Sequence, residues 1–285
     1  MTIKTILVCL TTTTNVERLS KAASYLAQKF HARIIGLHTL QSIEIYPSIA
    51  VDLPSLATDA FVEDQNKQAD EIRATFEKVT TSHGLNGEWR QVPANSSFAA
   101  DRMIEHAHSV DLVIMGQEDQ EHDRPDQRSA QEMLIKQSGR PVLIIPLAGT
   151  FDTIGEHALM GWSATRESSR AMHDAIPLLS GGVNSTNGKA TILWVSHNDS
   201  DGAYLENTAH AMAATLDRHG ISTSVAHWQN TKISIADALL NEASDRGADL
   251  IVTGAYGHSK FYDFVIGATT TGLLDHMTVP VLFSN

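Results

Sequence analysis

The chain carries one cysteine, Cys9, among 285 residues, so no internal disulfide can form. That usage suits a reducing compartment. Glycine and proline are modest, at 18 and 8 residues, which excludes collagen-like and low-complexity chains. Basic residues are in short supply: 21 Lys and Arg against 33 Asp and Glu leave a net charge of −12. An acidic chain repels a phosphate backbone, and no basic run compensates, so nucleic acid is not an expected partner. Long apolar runs are missing as well, none approaching the roughly 18 residues of a membrane-spanning helix. Residues 1–10 (MTIKTILVCL) lack the apolar core and cleavage site of a signal peptide. The expected location is the cytoplasm, with no membrane partner. H-E-x-x-H, C-x-x-C and G-x-x-x-x-G-K-[ST] are all absent, which removes zincins, zinc ribbons and Walker-type ATPases. The 14 histidines offer no metal site. His106 and His108, two apart on a helix, point about 200° apart and cannot share an ion.

What is present is a repeat. Val110-Asp111-Leu112-Val113-Ile114-Met115-Gly116 reads against Ala248-Asp249-Leu250-Ile251-Val252-Thr253-Gly254, and Arg140–Ile145 against Val279–Phe283. His83-Gly84 and His219-Gly220 precede matching strand-like runs. The ordered matches imply a tandem duplication with a boundary near residue 150, and the length suits about two domains. Hydrophobic residues, at 42%, are enough to build two cores.

Each half alternates strand and helix. Thr5–Cys9 is a short apolar run, and Val16, Leu19, Ala23, Leu26 and Phe30 mark one helix face over 15–30. Further strands are predicted at 32–37, 88–92, 111–114 and 141–145, with helices at 63–79, 97–109 and 129–137. The second half repeats the order, with strands near 157–161, 190–196, 223–228, 249–253 and 280–283. Its helices fall near 165–179, 203–218, 233–246 and 268–277. Strict alternation, with runs as apolar as Leu250-Ile251-Val252, argues for parallel sheets covered on both faces: two doubly wound α/β domains. Thr39 to Val62 reads as a long apolar connection packed over its own domain or its neighbour, or as a lid over a ligand.

In such sheets ligands sit beyond the carboxyl ends of the strands, where strand order reverses. The second half carries Gly254-Ala255-Tyr256-Gly257 at such an end and, nine residues on, Gly267-Ala268-Thr269-Thr270-Thr271. Glycines let a backbone approach an anion, and a helix start offers unpaired N–H groups and a positive dipole end. Gly254 and Gly257 could equally shape a turn that holds nothing, and Tyr256 and His258 could flank a ligand or face solvent.

Residues 249–285 resemble the closing segment of the universal stress protein family, whose nucleotide-binding members carry G-x2-G-x9-G followed by Ser or Thr. The resemblance extends over both halves. It implies two Rossmann-like, adenine nucleotide alpha hydrolase-like domains (1–148 and 152–285), each a five-stranded parallel sheet of order 3-2-1-4-5 with helices on both faces. It also implies an internal pseudo-dimer through the last strands, and leaves open a homodimer. The site it implies comprises Ser163, Gly254, Gly257, His258, Gly267, Ala268, Thr269 and Thr270, holding ATP with Mg or another anion.

The pattern is damaged. Ala268 stands where the family has Ser or Thr, and Ser163 stands where ATP-binding members place Asp, behind the bulky Trp162. Losing that charged acceptor costs on the order of 1–3 kcal/mol. In the first half Gly116 is followed by Gln117-Glu118-Asp119-Gln120-Glu121-His122-Asp123, with no second glycine and four acidic residues to repel triphosphate. The expected function is therefore a non-catalytic, regulatory stress-response protein, with any nucleotide in the second half. Two alternatives stand beside it. One is an interaction module that binds a partner protein or a hydrophobic ligand and no nucleotide. The other is a serine hydrolase using Ser163, since Gly161-Trp162-Ser163-Ala164-Thr165 approaches G-x-S-x-G but ends on Thr165.

Overall fold

The computed structural model describes residues 2–41, 55–93, 98–122, 125–181, 187–196, 202–229, 233–255 and 267–285. The first half runs β1 (Thr5–Cys9), α1 (Val16–Phe30), β2 (Arg33–Thr39), α2 (Ser55–Ser82), β3 (Glu88–Val92), α3 (Ala99–Ala107), β4 (Leu112–Gly116), α4 (Gln127–Gln137) and β5 (Val142–Ile145). The second runs β6 (His157–Trp162), α5 (Arg166–Leu179), β7 (Lys189–Ser196), α6 (Gly202–Arg218), β8 (Ser222–Gln229), α7 (Ile235–Arg246), β9 (Leu250–Gly254), α8 (Ala268–His276) and β10 (Val281–Ser284).

Local sequence explains these elements. The α1 stripe of Val16, Leu19, Ala23, Leu26 and Phe30 is buried, and the helix stops where His31 turns left-handed (φ 50°) and bonds back to Ala27 and Gln28. The central strands β1, β4 and β9 are apolar on both sides because helices cover both faces of the sheet. On β1, burial pushes the Cys9 thiol up to about 12, so this cysteine is a core residue and not a nucleophile. On the edge strand β8 burial alternates instead.

The strand order is β3-β2-β1-β4-β5-β10-β9-β6-β7-β8. Each half thus has the order 3-2-1-4-5 with parallel neighbours. The two sheets are not separate, however. β5 and β10 pair antiparallel, Leu143 opposite Leu282, so ten strands form one sheet. The reason is visible in the strands themselves. Val142–Ile145 and Val281–Ser284 are buried throughout, and as free edges they would expose apolar side chains and unpaired backbone. Two apolar clusters lie on the two faces of this sheet, each drawing on both halves.

The connection expected over 39–62 is only partly a loop. Residues 42–54 lie outside the described residues, but α2 begins at Ser55, eight residues before the predicted start at Glu63. Residues 59–64 of this helix are exposed, including Phe61 and Val62. Leu56, Ala57 and Ala60 are strong helix formers, a preference the apolar spacing had masked.

The repeated aspartates have structural work. Asp111 Oδ2 accepts the backbone N–H groups of Lys4 and Thr5 at 2.8 and 2.9 Å. Asp249 accepts from Gly155, Glu156 and His157 at 3.0–3.1 Å. Each latches the start of its neighbouring central strand.

His157 gives the fold a pH dependence. Its Nε2 lies 3.1 Å from Thr191 Oγ1, and burial, then the nearby Lys189, holds its pKa below the ordinary 6.5. The unfolded chain therefore binds the proton more tightly than the folded one. This contribution is fully present above pH 6.5 and is lost as pH falls from there through the lowered value. Denaturant midpoints should fall between pH 7 and 5, and His157→Gln should flatten the decline. His106, also shifted down by burial, would leave a remainder.

Candidate functional site

Two crossovers leave β6 and β9 in opposite directions, one to β7 and one to β10, so strand order reverses between β6 and β9. The crevice beyond their carboxyl ends is the place a doubly wound sheet offers a ligand. Gly161 and Thr253 are register partners there, with Trp162–Ser163 and Gly254–Ala255 just beyond. Two helix starts flank it from opposite faces of the sheet. α5 follows β6, and α8, which leads back into the parallel strand β10, also begins at the carboxyl edge.

The two starts differ chemically. At α5, Thr165 caps the helix in a reciprocal box: its Oγ1 accepts the Ser168 N–H at 3.2 Å while Ser168 Oγ accepts the Thr165 N–H at 3.1 Å. Glu167, 8% exposed, adds a carboxylate in the same turn, held by Arg166 at 2.9 Å. At α8, Gly267 is the N-cap and has no side chain to offer. The first intrahelical bond runs from Thr271 N–H to Gly267 O, which leaves the N–H groups of Ala268, Thr269 and Thr270 without a helical acceptor. Ala268 is exposed, Thr269 half-buried and Thr270 buried. Among the described residues, no side chain caps the positive dipole end of α8, whereas Thr165 and Ser168 cap that of α5.

The glycines separate in the same way. A Cβ on Gly254 would lie 2.5 Å from the backbone of Glu167 and Ser168, so this glycine is required for β9 to meet α5. A Cβ on Gly267 would meet nothing closer than 3.9 Å, and its φ of −61° suits any residue. Among the described residues, neither packing nor conformation asks for glycine at 267. Gly257 and His258 lie outside the described residues.

Ser163 is exposed beyond β6, its Oγ 3.2 Å from Thr165 Oγ1, and this neighbouring hydroxyl is no general base. Trp162 does not obstruct the crevice. Its ring is buried in the core and its indole N–H reaches Thr208 Oγ1 at 3.0 Å. Sequence reading missed Ala164, which holds a left-handed φ of 55° between Ser163 and the cap, a conformation alanine rarely takes. It missed Glu167 too, since an acidic residue in a first helical turn ordinarily signals only dipole pairing. Among the described residues no cluster of His, Cys, Asp and Glu could hold a metal ion.

Residues 171–284 match the model of the universal stress protein family. The second half of the chain is thus similar to that family over 114 residues. A universal stress protein from Archaeoglobus fulgidus has the same fold over 99% of this chain and 96% of its own, with a TM-score of 0.72 and 17% identity. A protein of unknown function from Pseudomonas aeruginosa PAO1 aligns over 99% of this chain and 92% of its own (TM-score 0.60, 16% identity). A putative universal stress protein from another P. aeruginosa strain covers 99% and 93% (TM-score 0.55, 18% identity). No curated protein sequence matches the chain.

The corresponding edge of the first half is lined by different side chains. The Asn15 amide lies 3.3 Å from where a Gly116 Cβ would be, with Leu19 behind it. Gln131 Nε2 donates to the Gly116 carbonyl, and the buried Gln117 points away into contacts across the sheet seam. The carboxylate of Asp119 is held below the usual range by the Glu121 N–H, which keeps it charged beside this edge. That charge works against an anion there.

Proposed function

We propose that the second half binds an adenine nucleotide, ATP with Mg2+ first among the candidates, or another phosphate-bearing anion, and that the protein acts as a non-catalytic, regulatory stress-response factor in the cytoplasm. The observation that carries this reading is the start of α8, which among the described residues has no side-chain cap and is headed by a glycine that no packing contact requires. In this reading the N–H groups of Ala268, Thr269 and Thr270 and the Thr269 hydroxyl receive the phosphates. Gly254 and Gly257 bring the turn close, His258 flanks it, and Ser163 meets the ribose end. The donor set fits an anion. The Glu167 charge is offset by Arg166, so it does not veto one. Magnesium would arrive on the phosphates, as the described residues supply no cluster for it. We take 1–148 and 152–285 as the two domains, joined as an internal pseudo-dimer through β5 and β10, an arrangement that does not need a homodimer.

Calorimetry of the full chain with ATP, ADP and AMP, with and without Mg2+, tests the reading. Saturable binding that Gly257→Asp abolishes is the expected result, and an unchanged affinity in that variant contradicts it. One observation favours a second reading, an interaction module: Phe61 and Val62 on α2 are 37% and 47% exposed. A silent titration with all three nucleotides would favour that module.

A further inference from the structure

We propose that the first half positions the ligand-binding helix of the second: Gln117 and Arg128 grip the carboxyl end of α8 and so set where the free N–H groups of Ala268, Thr269 and Thr270 lie. This rests on the reading of the α8 start as the anion cradle. Nine residues make a helix too short to be stable alone, so contacts from outside must hold α8 in place. Leu273 and Leu274 anchor its apolar side, and Gly272 lets it approach Ala236 of α7, where an added Cβ would lie 2.7 Å away.

The polar grip on its last turn comes from the other half of the chain. The last intrahelical bond runs from Met277 N–H to Leu273 O, leaving the next carbonyls to find partners elsewhere. Gln117 Nε2 donates to Leu274 O at 2.8 Å and to Asp275 O at 3.3 Å. Its Oε1 accepts the Leu147 N–H at 3.0 Å, which fixes the orientation of an amide only 7% exposed. Arg128 of α4 adds a cation where the α8 dipole is negative, Nη1 lying 3.0 Å from Asp275 Oδ1. Its Nε is 2.9 Å from Glu132, so the guanidinium is held at two points.

The second half returns the contact. Asn285 Nδ2 donates to Lys136 O on the last turn of α4 at 3.0 Å. The repeat makes the exchange informative, because Gln117 follows Gly116 where Ala255 follows Gly254. The first copy thus has, at the place where the second carries Ala255, a side chain that reaches across the seam to α8. A helix of this length is a rigid rod of about 13 Å, so a shift at one end displaces the other.

The test uses the full chain, with ATP as probe and hydrogen exchange of the 267–277 peptides in ligand-free protein as a second readout. Gln117→Met, which keeps the shape and cannot donate, should speed exchange in α8 and weaken ATP binding by about five- to tenfold. Gln117→Glu and Arg128→Ala should act in the same direction. Ile72→Val, in the first-half core away from α8, should lower global stability and leave affinity unchanged. Unchanged exchange in α8, or faster exchange with unchanged affinity, overturns the proposal, as does an equal loss of affinity in Ile72→Val. If the wild type binds no ATP, the cradle reading fails on its own, and exchange in Gln117→Met still decides whether the first half holds α8.

Discussion

Replacing Gly254 by alanine should destabilise the protein by about 3 kcal/mol, near the upper end for overpacking a rigid contact. The added Cβ would sit 2.5 Å from both the Glu167 carbonyl carbon and the Ser168 nitrogen, and 2.9 Å from Glu167 Cβ. Those atoms belong to the first turn of a capped helix, which cannot give way without opening the Thr165–Ser168 box. Either β9 withdraws from α5 or the cap breaks, and both disturb the crevice. Gly267→Ala is the matched control. No described residue crowds a Cβ there, so its stability cost should stay within about 1 kcal/mol, the range of N-cap exchanges. Denaturant unfolding of the two variants measures the contrast. Equal stability in both would mean that Gly254 does not make the close contact described.

Removing the Asp249 carboxylate has a comparable effect by another route. Asp249→Ala would strip the acceptor from three consecutive backbone N–H groups, those of Gly155, Glu156 and His157, at the entry to the central strand β6. Two of these bonds are part-buried, so water cannot fully replace them, and the expected loss is about 2–4 kcal/mol. Asp111→Ala removes only two such bonds, at Lys4 and Thr5, and should cost less. Chemical denaturation checks the ranking, and a reversed order would sink this account of why both copies carry the aspartate.

These two residues also mark what the sequence could and could not disclose. The duplication, the alternation and the buried strands were legible because Leu112–Gly116 and Leu250–Gly254 are apolar without alternation, which only a doubly covered sheet requires. The Asp was visible as a repeat, but its acceptor role was not, since nothing local says that a carboxylate will face the N–H groups of a strand distant in sequence. Gly254 reads as a ligand glycine and is needed for packing, whereas Gly267, which reads the same way, meets no packing demand among the described residues. A glycine's reason lies in its neighbours in space, which sequence does not name. Ala164 is a sharper case: its left-handed φ has no compositional signal at all. The joining of two sheets into one followed from burial of β5 and β10, a property of the folded edge and not of either strand alone.

The central claim is that anions are received by the start of α8 in the second half and nowhere at the matching edge of the first. Amide chemical shifts of the full chain during an ATP titration test it most directly. The account predicts saturable shifts concentrated at Ala268, Thr269 and Thr270, with the amides at the start of α4 unmoved. Shifts centred on Gln127–Ser129, or none at either helix start at millimolar ATP, would contradict it.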